Sequence, residues 1–270
     1  MSKIAVVQMN TTMDREQNLD TAFTFTEKAA AENADLVAFP ENFLLLGDKE
    51  HYLEAAELVP GPLVECFQNK ARELGISILM GSIYERIPHN PMKAYNTSVL
   101  IDKTGEITGT YRKIHLFDID LKNVKILESD VIESGKEIAI FDHEIGRTGL
   151  TICYDLRFPS LYQKLASRGA LVIFVPAAFT VPTGRAHWLN LLKCRAIENQ
   201  VYIAAPAQYG KHSKTRESFG SAVIIDPWGD IVSVIEKGEG IIYGELDPAF
   251  QQKIQSRMPV ETHKISGIDY

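Results

Sequence analysis

The sequence contains few cysteines and lacks the residue patterns that hold metals or nucleotides. Three cysteines in 270 residues cannot form a disulfide framework, so we expect a reducing cytoplasm, in which a thiol can remain a nucleophile. The seven histidines form no H-x-x-x-H or H-E-x-x-H pattern and no C-x-x-C pair occurs, so no metal site is predicted. Neither a G-x-G-x-x-G nor a G-x-x-x-x-G-K-[ST] loop is present, and no nucleotide or other cofactor is expected.

Long apolar runs and a strong positive charge are also absent. No segment reaches the ~18 consecutive apolar residues of a membrane span, and the chain enters a predicted strand at once, so neither membrane insertion nor a secretory leader is expected. The formal net charge of −7 disfavours a nucleic-acid surface. Basic residues cluster at residues 211–216, which we interpret as an exposed loop, with an anion-binding loop as the alternative.

Strands and helices alternate along the whole chain. Helical patterns span residues 18–32, 63–74, 159–168, 185–199 and 248 to about 257, and Gly75 ends the second of them. Strand patterns span residues 4–9, 36–39, 76–83, 94–101, 106–112, 138–141, 148–152, 170–175, 201–205, 219–225, 231–235 and 240–246. No linker, low-complexity run or short repeat interrupts them, so we expect a single α/β domain over residues 1–270.

Three segments place a reactive side chain at or just beyond the end of a strand-like run. Glu41 follows the run LVAF, Lys113 follows ITGTYR, and Cys153 follows TGLTI. Sites in α/β proteins gather at the carboxyl ends of strands, so we expect the carboxylate, the amine and the thiol to converge. Together they would supply a base, an electrostatic stabiliser and a nucleophile.

The segments FPENF, YRKIH and ICYDLRFP, which contain these three residues, resemble the Glu-Lys-Cys signature of the nitrilase, or carbon–nitrogen hydrolase, superfamily. The resemblance extends from IAVVQM near the amino terminus to DPWG at residues 226–229 and beyond. It includes FTVPTGRAHW and RAIENQ, which are similar to the branch that contains ω-amidases and deaminated glutathione amidases. The resemblance implies a four-layer αββα sandwich, and homodimers through outer helices are usual in such proteins.

Cys153 is the candidate nucleophile. A free cysteine is more often a small buried hydrophobic residue, but a sharp strand-to-helix turn at CYDLR would expose this sulfur. The two companion motifs favour the catalytic interpretation. Cys66 and Cys194 fall inside predicted helices, and we expect both to be core or near-core thiols.

Glu41 is the candidate general base, with a solvated or capping glutamate as the alternative. Its apolar neighbours would desolvate the carboxylate and raise its pKa. Lys113 is the candidate stabiliser of a tetrahedral oxyanion, together with a backbone N–H just after Cys153, and it would hold the thiolate form near neutral pH. The alternative for Lys113 is a lysine on the surface. The sequence does not define roles for Arg112 and His115.

Further candidates come from the same resemblance. Glu128 matches a second glutamate that the superfamily often places near the lysine, where it would position Lys113 or the leaving group; an exposed acidic loop is the alternative. Arg157 is either an ion-pair partner within the fold or a group that binds a substrate carboxylate, and the branch resemblance favours the second role. The candidate pocket walls, with loop packing as the alternative, are Tyr154, Phe179 and Thr183.

The residues and the resemblance together favour a thiol amidohydrolase. Its substrate would be a small carboxylate-bearing amide, such as deaminated glutathione or an α-keto-acid ω-amide, cleaved through a cysteine thioester. An N-carbamoyl amine hydrolase would use the same triad in a different pocket, and a non-catalytic binding protein of this fold is a further alternative. Basic residues within 207–220 would suit a substrate with several carboxylates. The chain reads Ser134–Gly135 where Pro-Gly is common in the family. His187 and Trp188 are interpreted as packing or hydrogen-bonding residues.

Overall fold

The computed structural model describes residues 1–47, 51–121 and 124–265; the rest of the predicted domain lies outside the described residues. The first half of the chain contains β1 (Ser2–Met9), α1 (Arg15–Ala31), β2 (Leu36–Ala38), α2 (Pro62–Leu74), β3 (Ser77–Arg86), β4 (Ala94–Ile101), β5 (Ile107–Arg112), β6 (Asp118–Leu121) and β7 (Val124–Leu127). The second half contains β8 (Ala139–Phe141), β9 (Thr148–Leu150), α3 (Pro159–Ser167), β10 (Val172–Phe174), α4 (Val181–Asn199), β11 (Tyr202–Ala205), β12 (Ala207–Lys211), β13 (Glu217–Phe219), β14 (Ala222–Ile225), β15 (Ile231–Ile235), β16 (Gly240–Leu246) and α5 (Pro248–Arg257).

Two mixed β-sheets form the centre of the fold. The larger sheet has the order β13-β12-β1-β2-β3-β4-β5, and β16 also pairs with β1. The smaller sheet has the order β15-β14-β11-β10-β9-β8, and β6 and β7 form a separate ribbon. Strands β1, β2 and β3 are mutually parallel, as are β9, β10 and β11. Each sheet therefore has a parallel centre, whose strand carboxyl ends are the usual place for a ligand site.

The two faces of the larger sheet pack against different partners. Side chains alternate along a strand, so Ile4 and Val6 of β1 join the core with the smaller sheet, α3 and α4. Ala5 and Val7 face the other way and pack with α1 and α2. The layers are therefore helix, sheet, sheet and helix, which is the predicted four-layer αββα sandwich. None of the helices in the described ranges has the length and apolar content that a membrane crossing requires.

The helix boundaries follow from local signals in the sequence. The Asp14 side chain accepts a hydrogen bond from the Gln17 N–H and caps α1. Gly75 adopts a left-handed conformation, with φ of 64°, at the end of α2. Helix α4 begins at Val181, four residues before the predicted start, because a proline is tolerated in the first turn. Thr183 consequently lies in the first turn of α4 rather than in a loop.

The prediction of one strand over residues 219–225 was wrong. Gly220 and Ser221 have positive φ values of 83° and 67°, and such a conformation breaks a strand. The chain therefore passes from β13 in the larger sheet to β14 in the smaller sheet. Strand β12 and the β6–β7 ribbon were not predicted.

The expectation that Cys66 and Cys194 are core thiols was also wrong, since both are exposed. Helix α2 buries Val64, Phe67 and Ala71, a spacing that places residue 66 on the opposite face. Helix α4 likewise buries a stripe that excludes residue 194. Both thiols face solvent on the outer layers of the sandwich.

Candidate active site

Cys153 lies in a tight turn between β9 and α3. Its φ of 49° falls in the left-handed region, which costs a non-glycine residue roughly 1–3 kcal/mol and is often found at functional sites. The Cys153 N–H donates to the Pro176 carbonyl at 2.9 Å. A 3₁₀ helix over Cys153–Arg157 follows at once. The turn thus has the sharp strand-to-helix geometry that the sequence predicts.

Asp155, a residue that the sequence analysis missed, stabilises this turn through its side-chain hydrogen bonds. Its fully buried carboxylate accepts hydrogen bonds from the Ile152 N–H at 2.9 Å and the Tyr111 hydroxyl at 2.7 Å. It also accepts from the backbone N–H of His115 at 3.1 Å and contacts His115 Nδ1 at 2.6 Å. Because Tyr111 and His115 flank Lys113, Asp155 connects the turn at Cys153 to the end of β5.

Glu41 follows β2 and is buried, so it is not the solvated loop glutamate of the alternative interpretation. Its Oε1 accepts from Lys113 Nζ at 2.8 Å and from Asn96 Nδ2 at 3.0 Å. Its Oε2 accepts from the Ala178 N–H at 3.0 Å. The Cys153 thiol lies close enough to the same carboxylate that each group shifts the pKa of the other. The Glu41 carboxylate therefore connects the amine to the thiol.

Lys113 lies directly beyond β5, with its ammonium group buried between two carboxylates. Besides Glu41, it donates to both oxygens of Glu128, at 3.0 and 2.9 Å. Glu128 belongs to a 3₁₀ helix after β7, and its Oε2 also accepts from the Phe117 N–H at 2.6 Å. Glu128 is thus part of the cluster and not an exposed acidic loop.

The segment that departs from the family pattern packs against Lys113. The Gly135 N–H donates to the Lys113 carbonyl at 2.8 Å, and the Ser134 hydroxyl donates to the Ile114 carbonyl. A Cβ atom on Gly135 would lie 2.1 Å from the Arg112 carbonyl oxygen. Glycine is therefore required beside the lysine, and the serine that stands where proline is common contributes a hydrogen bond to the same segment.

The charges in this cluster correct two expectations about protonation. Burial alone would raise the Glu41 pKa, but the Lys113 charge and its hydrogen bond oppose that effect, and the Glu41 pKa is lowered. Burial and the nearby Glu41 raise the Cys153 pKa well above its ordinary range, although Lys113 opposes them. The Lys113 pKa is raised well above its usual range because Glu128 and Glu41 outweigh burial. The resting site therefore holds a carboxylate, an ammonium and a neutral thiol, not the expected thiolate.

A pocket opens beside the Cys153 sulfur. The four residues predicted to contact the substrate all line it: Tyr154, Arg157, Phe179 and Thr183. Phe117, Ala178 and Thr180 complete the lining. The Arg157 guanidinium lies 5.7 Å from the Tyr154 ring centre and 5.6 Å from that of Phe179. Arg157 Nη2 is 3.3 Å from His187 Nδ1, and no ion pair between Arg157 and a carboxylate occurs within the described ranges. Contacts with two aromatic rings and one imidazole thus position the Arg157 guanidinium at the pocket wall.

Other residues singled out in the sequence have structural contacts. Trp188 is buried, donates from Nε1 to the Ser221 carbonyl at 2.8 Å and packs on Phe179. His187 is exposed and contacts Arg157. Both match their interpretation as packing or hydrogen-bonding residues.

The interpretation of residues 211–216 as an exposed loop was only partly right. Lys211 and Lys214 are exposed, but His212 is buried with Nδ1 2.7 Å from the Thr11 carbonyl. Burial lowers the His212 pKa to about 4, so the ring is neutral. Because a carbonyl oxygen only accepts, the proton of this ring is assigned to Nδ1, which donates to Thr11. Arg216 is partly buried and donates to the Tyr52 hydroxyl. Across the described part of the chain, no group of three His, Cys, Asp or Glu side chains is arranged to hold a metal ion.

Comparisons with known proteins show the family to which this chain belongs. A family model described as carbon-nitrogen hydrolase matches residues 3–255. The deaminated glutathione amidase of Dictyostelium discoideum is 37% identical over 273 residues, which cover 98% of this chain and 94% of that protein. The crystal structure of the C. elegans NitFhit protein has a TM-score of 0.94 at 34% identity and covers 100% of this chain and 66% of that chain. Saccharomyces cerevisiae Nit3, of branch 10 of the nitrilase superfamily, has a TM-score of 0.90 at 31% identity, with coverages of 99% and 97%. The chain therefore belongs to the carbon–nitrogen hydrolase family of the nitrilase superfamily.

Proposed function

We propose that this protein is a thiol amidohydrolase that cleaves deaminated glutathione or a related α-keto-acid ω-amide. The observation that carries the proposal is the buried Glu41 carboxylate, which accepts a hydrogen bond from the Lys113 ammonium and interacts with the neighbouring Cys153 thiol. A neutral thiol beside an ionised carboxylate is the starting state for general-base activation of a nucleophile. The amidase names of the relatives support the reaction class.

In the proposed acylation step, the Cys153 sulfur attacks the amide carbon while Glu41 takes the thiol proton. We assign this transfer to Glu41 Oε2. This oxygen accepts a hydrogen bond from the Ala178 N–H, and the same N–H also interacts with the sulfur. The negative charge that develops on the carbonyl oxygen is stabilised by Lys113 and by the Tyr154 N–H at the start of the 3₁₀ helix. The carbon–nitrogen bond then breaks, and Glu41 returns the proton to the leaving amine or ammonia.

The second step hydrolyses the thioester that remains on Cys153. A water molecule enters from the pocket and attacks the thioester carbon, while Glu41 takes one of its protons. The carbon–sulfur bond breaks, the free acid leaves, and the proton on Glu41 returns to the sulfur. The depressed pKa of Glu41 keeps this base ionised at the start of both steps.

Glu128 is assigned a supporting role. It accepts from Lys113 through both oxygens, and its other described partners are the Asn96 amide and the Phe117 N–H. We therefore infer that it fixes the lysine between two anions rather than exchanging protons with the substrate. A lysine held on two sides cannot rotate away from the oxyanion position.

Arg157 is the proposed binding group for the substrate carboxylate. The guanidinium lies at the wall of the pocket that contains the sulfur, held by aromatic faces and His187. Deaminated glutathione and 2-oxoglutaramate both carry an α-keto carboxylate on the acyl side, which an arginine fork would bind through two hydrogen bonds. The remaining proposed walls of this subsite are Tyr154, Phe179 and Thr183.

The two alternatives receive less support. The relatives are named as amidases, which does not favour an N-carbamoyl amine hydrolase. A non-catalytic binding protein would not need a thiol, a base and a buried cation in mutual contact.

We further propose a single domain that works in the cytoplasm as a homodimer. The outer helix α4 exposes Ile197, which lies next to the turn that carries the exposed Trp228. Apolar side chains of this kind favour burial against a second copy. Light scattering of the wild type and of Ile197→Asp tests the dimer, which the variant should weaken; a monomeric wild type would contradict it.

The function is tested by a substrate panel of α-keto-acid amides, N-carbamoyl compounds and nitriles. The product acid, 2-oxoglutarate, is common to deaminated glutathione and 2-oxoglutaramate and can be followed by one coupled assay. We expect turnover of the α-keto-acid amides by the wild type, and less than about 1% of it in Cys153→Ala, since loss of a nucleophile costs orders of magnitude. Equal turnover in that variant, or activity confined to carbamoyl compounds or nitriles, would overturn the proposal.

A further inference from the structure

Besides Lys113, the side chain of Asn96 also lies between the two carboxylates of the site. Asn96 is the third residue of β4 and is fully buried. Its Nδ2 donates to Glu41 Oε1 at 3.0 Å and to Glu128 Oε1 at 3.3 Å. Its backbone carbonyl accepts from the Lys113 N–H at 2.9 Å. One residue therefore contacts all three charged members of the cluster.

The chemistry of the neighbours fixes the orientation of this amide. Carboxylate oxygens only accept hydrogen bonds, so the NH₂ group of Asn96 must face Glu41 and Glu128. The two hydrogen bonds use both hydrogens of Nδ2, one for each carboxylate. A side chain with one donor hydrogen could bind only one of the two anions at a time.

The amide oxygen of Asn96 indicates that packing alone does not explain an asparagine at this position. Asn96 Oδ1 is buried and accepts no hydrogen bond from any described residue. An unsatisfied buried acceptor is costly, and an apolar side chain of the same shape would avoid that cost. The polar side chain at this position therefore needs another explanation, and the two carboxylates supply it.

We propose that Asn96 is a positioning residue that holds the Glu41 and Glu128 carboxylates at a fixed separation on either side of Lys113. By occupying Glu41 Oε1 together with the lysine, it leaves Oε2 to accept from the Ala178 N–H, a backbone group that also interacts with the sulfur. The described hydrogen bonds of the Asn96 side chain go to Glu41 and Glu128, so we infer that it acts on the thiol through Glu41. The inference rests on the proposed amidase function and names a further residue that the same reaction needs.

The inference predicts how the pH profile depends on Asn96. The charged and titratable groups that interact with Glu41 are Lys113, Cys153, Arg216 and Tyr84. Glu128 pairs with the same Lys113, and all of these groups remain in an Asn96 variant. Loss of the Nδ2 hydrogen bond removes one interaction that favours the ionised carboxylate. The acidic limb of the pH profile of kcat/KM, which is the fall in activity at low pH, should therefore move to higher pH by about one unit. A shift of one pKa unit is comparable in free energy to one hydrogen bond to a charged group.

The decisive variant is Asn96→Leu, which keeps the branched shape and removes the donor. Its matched control is Ser98→Ala, two residues along the same strand, because Ser98 is equally buried and its hydroxyl has no hydrogen-bond partner among the described residues. We expect kcat/KM of Asn96→Leu to fall about tenfold at neutral pH, mostly in kcat, with the acidic limb displaced upward. Ser98→Ala should keep the wild-type limb.

A second readout does not depend on turnover. In a Cys66→Ser/Cys194→Ser background, which removes the two exposed thiols, alkylation of Cys153 by iodoacetamide reports proton transfer to Glu41 directly. We expect the acidic limb of the alkylation rate to move upward in Asn96→Leu, as for kcat/KM. If the wild type hydrolyses no amide, the proposed function fails while the alkylation profile still tests Asn96.

Two results would overturn the role of Asn96. The first is an Asn96→Leu protein that is folded by near-ultraviolet circular dichroism and has wild-type kcat/KM and an unmoved acidic limb. The second is a loss of activity that is equal at every pH and is matched by Ser98→Ala, because it would show that this part of β4 serves only packing.

Discussion

Replacing Glu128 by glutamine tests whether Lys113 must be held between two anions. Both Glu128 oxygens accept hydrogen bonds: Oε1 from Lys113 and Asn96, and Oε2 from Lys113 and the Phe117 N–H. A glutamine of the same size has only one accepting oxygen. Its NH₂ group must therefore face either the Asn96 amide or the Phe117 N–H, and both of these are donors.

The size of the effect follows from the contacts that are lost. A hydrogen bond to a charged group is worth about 1.5–3 kcal/mol, and each 1.36 kcal/mol of transition-state stabilisation corresponds to about tenfold in rate. If the position of Lys113 limits stabilisation of the oxyanion, kcat/KM should fall roughly 10- to 150-fold. Because Glu128 acts through Lys113, whose charge is needed only as the oxyanion forms, the loss should appear in kcat and leave KM nearly unchanged.

The assay is steady-state release of 2-oxoglutarate from the best α-keto-acid amide, on matched amounts of folded protein. The control is Glu106→Gln, because Glu106 is an exposed carboxylate just before β5, at the opposite end of the strand from Lys113. The control should stay within about twofold of the wild type, as exposed surface substitutions do. A Glu128→Gln enzyme whose kcat is within threefold of wild type, or whose loss lies wholly in KM, would refute this reasoning.

Three further predictions follow from other parts of the site. Arg157→Lys should raise KM for amides that carry a carboxylate by roughly tenfold or more and affect neutral amides less; equal losses on both substrate classes would make Arg157 structural. Because Lys113 holds the Glu41 pKa below its ordinary value of 4.5, Glu41 stays ionised above that value, and kcat/KM should fall only as the pH drops below about 4.5; a fall beginning near pH 6 would contradict the lowered pKa. Cys66→Ala and Cys194→Ala remove exposed thiols, so both should keep wild-type kcat/KM, and a large loss in either would place a second thiol in the reaction.

The sequence predicted the parts of the fold that depend on local patterns. Strands β4, β15 and β16 have the predicted bounds, and Gly75 ends α2 as predicted. The family resemblance supplied the four-layer arrangement, which periodicity alone does not define. Strands that change sheet were predicted poorly, because the positive φ of Gly220 and Ser221 is a backbone property that a hydrophobic pattern does not reveal.

The site shows a similar division between local and long-range information. Glu41, Lys113 and Cys153 could be predicted to converge because each follows a strand. The pKa directions could not be, since the lowered pKa of Glu41 depends on a lysine 72 positions away. Asn96 was missed because it reads as an ordinary polar residue within a strand, and only the folded chain brings it between Glu41 and Glu128.

The proposed mechanism requires a covalent thioester on Cys153. The most direct test is to quench turnover of deaminated glutathione with acid and to measure the mass of the intact protein and of its peptides. We predict an added 2-oxoglutaryl group on the peptide that contains Cys153, and no such group in Cys153→Ala. Acylation of a Cys66 or Cys194 peptide instead, or product formation by Cys153→Ala at the wild-type rate, would contradict the account.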